Sequence, residues 1–212
     1  MSKYLYSSVG IDPGWKNLGA ALVMEELNTF KVRVLDARTL NISKEPEVLL
    51  RDLFLQYAKQ LPWQAEISTS SDYLVVERYV AYSNSAESEN ITMAIGMIRM
   101  HRFMQLIDRS IELMRAIEWK TELIKLLNKH YGFENPSLEL DKKFSLAAAK
   151  FITVNPEIIK TDHEADAICL AALPLLRRKI EQKILEEKEK GRTKTDAGIS
   201  QGTGKRGQSE LF

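Results

Sequence analysis

The pattern of hydrophobic and polar residues predicts strands in the first half of the chain. Aromatic and β-branched residues are frequent in residues 4–9, a second apolar run covers 18–24, and Pro13-Gly14 turns the chain between them, which predicts a β-hairpin. Alternation in residues 30–35 predicts a third strand, the continuous apolar run 73–76 predicts a fourth strand buried on both faces, and residues 111–117 predict a fifth.

Apolar residues spaced three and four apart predict helices between and after these strands. The predicted helices cover residues 45–61, 88–106, 119–131, 142–153 and 162–190. Gly132 is the expected stop of the third helix, and Gly96 is expected to permit close packing against another element. Strands and helices in this order predict an α/β fold, a mixed five-stranded sheet flanked by helices on both faces.

Length and composition indicate one globular domain with a tail. The chain has 212 residues, of which 44% are hydrophobic. We expect the domain to cover residues 1–190 and a flexible basic tail, rich in Gly, Ser, Thr and Lys, to cover 191–212. No apolar run approaches the roughly 20 residues that cross a bilayer, and no signal peptide is recognisable, so we expect no membrane partner and a cytoplasmic location.

The net charge and the single cysteine narrow the function only slightly. A net charge of +1 indicates no partner by itself, so any nucleic-acid surface must come from local clusters of basic residues. Cys169 excludes an internal disulfide and fits a reducing compartment. Because it lies in an apolar helical stretch, we expect it to be buried filler rather than a nucleophile.

Acidic residues stand at the ends of predicted elements. Asp12 ends the first strand, Glu77 ends the fourth, and Asp166 lies in the opening of the last helix, together with His163 and Asp162. The first and fourth strands of a mixed sheet are commonly neighbours, so Asp12 and Glu77 are expected to meet at one edge. Oxygen-rich clusters of this kind suit Mg²⁺ or Mn²⁺, and two such ions about 4 Å apart can activate a water for phosphodiester hydrolysis.

Each of these acids also has an ordinary structural explanation. Asp12 can simply cap the Asp-Pro-Gly turn, and a chain with 28% charged residues scatters many unrelated carboxylates over its surface. Thr161 and Glu164 form a T-x-x-E capping box, which explains Glu164 without a ligand role. An acid at Asp166, against the packed face of the helix, is harder to explain by solubility.

Three motifs together resemble one family. Gly10-Ile11-Asp12-Pro13-Gly14 with Gly19, then Val75-Val76-Glu77-Arg78-Tyr79, then His163-Glu164-Ala165-Asp166-Ala167 occur in the order found in RuvC-type Holliday junction resolvases of the ribonuclease-H-like superfamily. The resemblance spans roughly residues 4–175. It implies a homodimeric, Mg²⁺-dependent endonuclease, with Mn²⁺ as a substitute, that cuts four-way DNA junctions in recombination and repair. Either a bacterial or a phage genome could encode such an enzyme.

The resemblance also implies roles for single residues. Asp12, Glu77 and Asp166 would be metal-binding carboxylates, and His163 falls where the family carries Asp or His. Asp162 is an extra acid, so whether it or His163 completes the metal site stays open. Lys120 resembles a basic residue that the family uses near the scissile phosphate, with plain surface charge as the alternative.

Other residues are candidates for holding the DNA. Arg78 and the pair Arg99 and Arg102 suit backbone phosphates. Tyr79 and Tyr82 follow Glu77 and could stack on bases unpaired at a junction centre, although core packing explains them equally well.

The last residues suggest a second partner. Gln208, Leu211 and Phe212 resemble the short peptide with which bacterial enzymes bind the replication sliding clamp, although so short a pattern also arises by chance. Deletion of residues 208–212 without any effect in a pull-down with the clamp would end this hypothesis.

Three rival functions share features with this sequence. Actin-like ATPases and sugar kinases share an opening Gly-Ile-Asp, but they need two such domains, and the chain is too short. Another ribonuclease-H-like nuclease, acting on branched DNA, RNA–DNA hybrids or single strands, is not excluded by the residues. A non-catalytic junction-binding protein is disfavoured, because carboxylates near phosphate would repel it for no gain in binding.

Overall fold

The computed structural model describes residues 5–14, 17–41, 72–78, 91–92, 95–96, 111–134 and 142–200 of the chain. Within these ranges the elements are β1 (Ser7–Asp12), β2 (Asn17–Glu25), β3 (Val32–Asn41), β4 (Tyr73–Glu77), β5 (Ile111–Met114), α1 (Ala116–Tyr131), α2 (Lys142–Ile152), a short 3₁₀ helix (Pro156–Ile158) and α3 (Asp162–Ser200).

The five strands form one mixed sheet in the order β3-β2-β1-β4-β5. β1 pairs antiparallel with β2, and β2 with β3, whereas β1 pairs parallel with β4, and β4 with β5. The mixed five-stranded sheet is therefore confirmed, including the predicted contact between the first and fourth strands. Consecutive residues of β1 and of β4 are buried, so both faces of the central strands are covered.

Residues up to Leu176 form one compact unit, and residues from Arg177 form a second. In the first unit a hydrophobic core joins one face of the sheet to α1, α2 and the start of α3. Its largest fully buried side chains include Trp119, Phe144, Leu123, Leu127, Ile152, Ile168 and Leu173. Cys169 is fully buried in this core, which confirms its interpretation as filler. In the part of the chain that is described, no helix is long and apolar enough to cross a membrane.

Two strand boundaries differ from the prediction for physical reasons. β3 continues to Asn41 rather than stopping at Leu35, because the register shifts between Leu22 and Val23 of its partner and pairing then resumes through polar residues. An edge strand needs only one apolar face, so the loss of apolar residues after Leu35 was a misleading signal. β5 stops at Met114 rather than reaching residue 117.

The third predicted helix starts earlier than its apolar pattern. The Glu118 side chain accepts a hydrogen bond from the Arg115 backbone N–H at 2.8 Å, which fixes the start of α1 at Ala116. At the other end, Gly132 has φ 67° and its N–H donates to the Leu127 carbonyl, so the predicted stop is confirmed.

The capping box predicted for the last helix is present. The Thr161 hydroxyl accepts from the Glu164 N–H at 3.1 Å, and the Glu164 carboxylate accepts from the Thr161 and Lys160 N–H groups at 3.2 and 2.7 Å. α3 then continues to Ser200 rather than ending at Lys190, so the first part of the predicted flexible tail is helical.

Several predictions fall on residues that are not described. They are the helix over 45–61, the loop that holds Tyr79 and Tyr82, Arg99, Arg102, and the tail from residue 201 with its clamp-like peptide. In the predicted helix over 88–106, the described residues 91–92 and 95–96 are helical. A Cβ added at Gly96 would meet no atom of the described residues within 4 Å, so the close packing expected there is not observed among them.

An asparagine side chain borders the outer strand β3. Asn155 Oδ1 accepts from the Val34 N–H at 3.0 Å, and its Nδ2 donates to the Val34 carbonyl at 2.8 Å. Next to it, the Val154 N–H donates to the Val32 carbonyl at 3.0 Å. The amide side chain therefore satisfies both backbone groups of Val34 on the open edge of the sheet.

Two glycines let the start of α3 lie directly on the sheet. A Cβ at Gly10 on β1 would lie 2.0 Å from the Ala167 carbonyl oxygen and 2.5 Å from the Ala171 nitrogen. A Cβ at Gly19 on β2 would lie 2.1 Å from the His163 carbonyl oxygen. All three distances are far below van der Waals contact, so only glycine permits this approach of backbone to backbone.

Gly10→Ala should push α3 off the sheet and destabilise the protein by about 3 kcal/mol, because the clash is with backbone that cannot rotate away. Urea unfolding measures this. Gly96→Ala is the control: a Cβ there meets no described atom within 4 Å, so the change should leave the protein unchanged or stabilise it by about 0.5–1 kcal/mol. Equal stability of Gly10→Ala and the wild type would show that the close packing does not hold the fold.

Candidate metal-binding acidic site

The strand register brings Asp12 and Glu77 side by side. Gly10 pairs with Val75 and Ile11 with Val76 across the parallel strands, and the two acids come next at the carboxyl ends of β1 and β4. Side chains two residues apart on a strand share a face, so both acids lie on the face that Gly10 opens to α3. Asp12 is only 8% exposed. The neighbouring position expected from sequence is thus observed.

The first turn of α3 adds His163 to this pair. His163 Nδ1 lies 2.8 Å from Asp12 Oδ2. An ionised carboxylate only accepts hydrogen bonds, so beside ionised Asp12 the proton of a neutral His163 ring is on Nδ1 and Nε2 carries the lone pair. The close contact of Gly19 with the His163 backbone fixes where this turn lies.

Asp166 lies one turn further along α3, among donors from two other helices. Its Oδ1 lies 3.6 Å from the Lys120 ammonium of α1, and it also accepts a hydrogen bond from Ser145 of α2. Both members of the Lys120–Asp166 pair are largely buried, with side chains 11% and 14% exposed. The Asp166 Oδ1 atom is itself buried and has no hydrogen bond within the described part of the chain.

Trp119 connects α1 to the second acid. Its indole Nε1–H donates to Glu77 Oε2 at 2.7 Å, and the ring is fully buried. The Lys120 ammonium lies 5.1 Å from the centre of the same ring, within the range of a cation–π contact. The adjacent residues Trp119 and Lys120 of α1 therefore contact two different carboxylates, those of Glu77 and Asp166.

The crowding of these acids changes their proton affinity. The pKa of Glu77 is raised to about 7, first by burial and then by the nearby Asp12 and Asp166, while the Trp119 hydrogen bond and Lys120 oppose the rise. The pKa of Asp166 is also raised, first by burial and then by Asp12, against the opposing effects of Lys120, Ser145 and His163. Each carboxylate thus feels the others as negative charge, so the site favours a cation.

The residues present suit a hard divalent cation in their chemistry. Asp12, Glu77 and Asp166 offer carboxylate oxygens, His163 offers an imidazole nitrogen, and the buried Asp166 Oδ1 lacks a hydrogen bond. Among the described residues, no three His, Cys, Asp or Glu side chains form a ready-made metal cage. Mg²⁺ commonly takes one or two carboxylates and completes its shell with water and substrate phosphate, so a partial protein shell still suits it.

The two other acids in the first turn of α3, Glu164 and Asp162, have different surroundings. Glu164 is occupied by the capping hydrogen bonds to Lys160 and Thr161, as its sequence position predicts. Asp162 is half-buried in the first turn, where the helix dipole favours negative charge. The hydrogen bond to Asp12 comes from His163, which lies directly beside the first of the three acids.

Sequence reasoning missed Trp119 and Ser145. A signal existed for each: a buried indole N–H needs an acceptor, and Ser145 is a polar residue on the apolar face of an alanine-rich helix. Neither signal names the partner, which only the packing of α1 and α2 against the sheet reveals. Arg78 is exposed directly after Glu77, which leaves its predicted contact with phosphate open.

The fold is shared with solved structures of Holliday junction resolvases. RuvC of Thermus thermophilus matches with a TM-score of 0.60 at 17% identity, covering 82% of this chain and 96% of that chain. The same enzyme in complex with a Holliday junction substrate matches with a TM-score of 0.55 at the same identity and coverage. The yeast mitochondrial Holliday junction resolvase Ydc2 matches with a TM-score of 0.51 at 14% identity, covering 84% of this chain and 83% of that chain.

Comparison of sequences adds nothing to this likeness. No protein-family model matches the chain, and no curated protein matches it. At these identities the structural matches establish the fold alone. The expectation that the chain has the fold of RuvC is thereby confirmed.

The proton on Glu77 should make stability depend on pH. Its pKa of about 7 in the folded protein exceeds the ordinary value of 4.5, so between these values the folded state binds the extra proton. This contribution is fully present below about pH 4.5 and is lost as the pH rises through 7. One pKa unit corresponds to about 1.4 kcal/mol, so the effect is at most about 3.5 kcal/mol.

Glu77→Gln should therefore be more stable than the wild type at pH 8, with a shallower fall in stability between pH 5 and 8. Urea unfolding in chelator at several pH values tests this. Some slope should remain, because the pKa of Asp166 is raised as well. Identical slopes for the two proteins would contradict the burial of Glu77 among like charges.

Proposed function

We propose that this chain is a divalent-metal-dependent endonuclease that resolves four-way DNA junctions by phosphodiester hydrolysis. One observation carries the proposal. Asp12, Glu77 and Asp166, from three distant parts of the chain, lie around one sheet edge beneath the start of α3, within electrostatic reach of one another. The shared fold supports it further, since RuvC of Thermus thermophilus with this fold is bound to a Holliday junction substrate.

Asp12 would be the central ligand of the site. It neighbours Glu77 through the strand register and holds His163 through a hydrogen bond, so it lies between the other groups. Together with Asp166, these acids would hold Mg²⁺, with Mn²⁺ as a substitute and two ions per site. Bound ions would supply Lewis-acid stabilisation of charge on the phosphate and the leaving oxygen.

His163 would manage a proton in this reaction. Asp12 orients the ring through Nδ1, which leaves the basic lone pair on Nε2. A histidine held in one tautomer is suited to accept a proton near neutral pH and to return it to a leaving 3′ oxygen. Asp162 remains the alternative fourth group of the metal site.

Lys120 would balance the negative charge of the site and contact the scissile phosphate. Its ammonium faces Asp166 and is largely buried, which disfavours the alternative of plain surface charge. A cation held inside a carboxylate cluster reduces the repulsion that phosphate would otherwise meet there. Arg78, exposed beside Glu77, would bind the DNA backbone farther out.

A purely binding role is the weaker alternative. The raised pKa values of Glu77 and Asp166 show that keeping both ionised opposes folding, and a protein that only binds DNA gains nothing from this arrangement. A ribonuclease-H-like nuclease for RNA–DNA hybrids or other branched DNA would use the same acids in the same way, so the substrate must decide between the two functions.

Symmetric cutting of a four-way junction needs two active sites that face opposite strands. We therefore propose a homodimer with a two-fold axis. The sliding-clamp contact through Gln208, Leu211 and Phe212 stays a prediction, because these residues are not described. With chromosomal or phage DNA as the substrate, the cytoplasm is the compartment that we propose.

Asp12→Asn should abolish junction cleavage while junction binding stays within about two-fold of the wild type. The amide keeps an acceptor for His163 but removes the charge that would bind the cation. Gel assays with a synthetic four-way junction and Mg²⁺ measure cleavage, and the same assays in Ca²⁺ measure binding. The control is Asp36→Asn, which removes a carboxylate paired with Arg38 on the outer strand β3 and should cut normally. Unchanged cleavage by Asp12→Asn would exclude the metal site.

The substrate class is tested with the wild type. A four-way junction, an RNA–DNA hybrid and a linear duplex of matched sequence should be cut at clearly different rates, with the junction first. Faster cleavage of the hybrid would replace the junction assignment by the ribonuclease alternative and leave the metal site standing.

A further inference from the structure

The indole of Trp119 contacts a carboxylate at the carboxyl ends of the central strands β1 and β4. Its Nε1–H donates to Glu77 Oε2 at 2.7 Å, and the ring is fully buried between α1 and the sheet. A buried indole N–H requires an acceptor, and backbone carbonyls are the common choice. Here the acceptor is one of the three proposed metal-binding acids.

The two carboxylate oxygens of Glu77 have different surroundings. Oε2 is taken by the indole, and Oε1 has no hydrogen bond to any other described residue. The indole is itself rigid, because Trp119 shares the packed face of α1 with Leu123 and Leu127, both fully buried. The carboxylate is therefore held by a donor that is itself packed in the core.

We propose that Trp119 is a positioning residue of the acidic site, which clamps Glu77 through Oε2 so that Oε1 is presented to the cation. This inference rests on the proposed function. Carboxylates that bind metals are generally held by hydrogen bonds of this kind, and removing such a partner weakens metal affinity or activity about 10- to 100-fold. Trp119 itself would touch neither cation nor DNA.

A merely structural role for the ring predicts a different result. Trp119→Phe keeps an aromatic ring in the core and deletes the N–H, but it also reduces core volume. Leu127→Val removes a comparable volume from the same face of α1, two turns away, without touching Glu77. The pair of variants separates loss of packing from loss of the hydrogen bond.

In Trp119→Phe, the Kd for Mn²⁺ measured by calorimetry should rise about 10-fold and kcat for junction cleavage should fall about 10-fold, while KM stays within about two-fold. Leu127→Val should lower the melting temperature as much as Trp119→Phe, but keep wild-type Kd and kcat. Wild-type Kd and kcat in Trp119→Phe, or equal losses in both variants, would overturn the proposal.

A second measurement avoids the phenylalanine variant. The chain has three tryptophans, so Trp15→Phe combined with Trp63→Phe leaves Trp119 as the sole emitter. Mg²⁺ should shift its emission, because the ion withdraws charge from the carboxylate that accepts the indole N–H. Adding Glu77→Gln should abolish the shift. A Mg²⁺-dependent shift that survives Glu77→Gln, or no shift although Mg²⁺ binds, would contradict the clamp.

The possible results test the role of Trp119 separately from the proposed nuclease function. If the wild-type protein cuts junctions and Trp119→Phe has the same Kd and kcat, the clamp is excluded and the nuclease function stands. Wild-type protein that binds Mn²⁺ more tightly than Trp119→Phe but cuts no junction would keep the clamp and remove the junction assignment. Wild-type protein that binds no Mn²⁺ would overturn both.

Discussion

The direct contact between the α3 backbone and the sheet is the constraint on which the site depends. With Gly10 and Gly19 on adjacent strands, the first turns of α3 approach β1 and β2 more closely than any side chain would allow. This approach brings His163 to Asp12 and sets Asp166 above the same sheet edge. A helix at ordinary distance from the sheet would carry these groups away from the strand ends, and the acids would be separate surface charges.

The acids that this packing collects repel one another, and the surrounding groups limit that repulsion. Lys120 supplies a positive charge, Trp119 and Ser145 supply hydrogen bonds, and Glu77 retains affinity for a proton near neutral pH. The balance is incomplete, because the pKa values of Glu77 and Asp166 both remain raised. Binding of a cation at this site would therefore stabilise the folded protein.

Much of this arrangement could be predicted from sequence, because its signals are local. The turn after Asp12, the capping box of Thr161 and Glu164, and the stop at Gly132 each follow from a few neighbouring residues. The meeting of Asp12 and Glu77 followed from the order of strands alone. The end of β3 could not be predicted in this way, because a bulge changed its register and an edge strand tolerates polar residues.

The remaining site residues depend on packing between elements, which no local pattern encodes. Gly10 and Gly19 were recognised as parts of a motif, but their reason, the helix lying on them, is visible only in three dimensions. The same holds for Trp119 and Ser145, whose partners come from other elements. Side chains that orient the acids are therefore harder to predict than the acids themselves.

The Asn155 side chain has a consequence for how copies of this protein can associate. By imitating a neighbouring strand beside Val34, it takes up the hydrogen-bonding groups that an incoming strand would need at that point. A continuous sheet across two molecules cannot form there without first expelling the amide. Strand addition along β3 therefore meets an obstacle at Val34 that the backbone alone would not present.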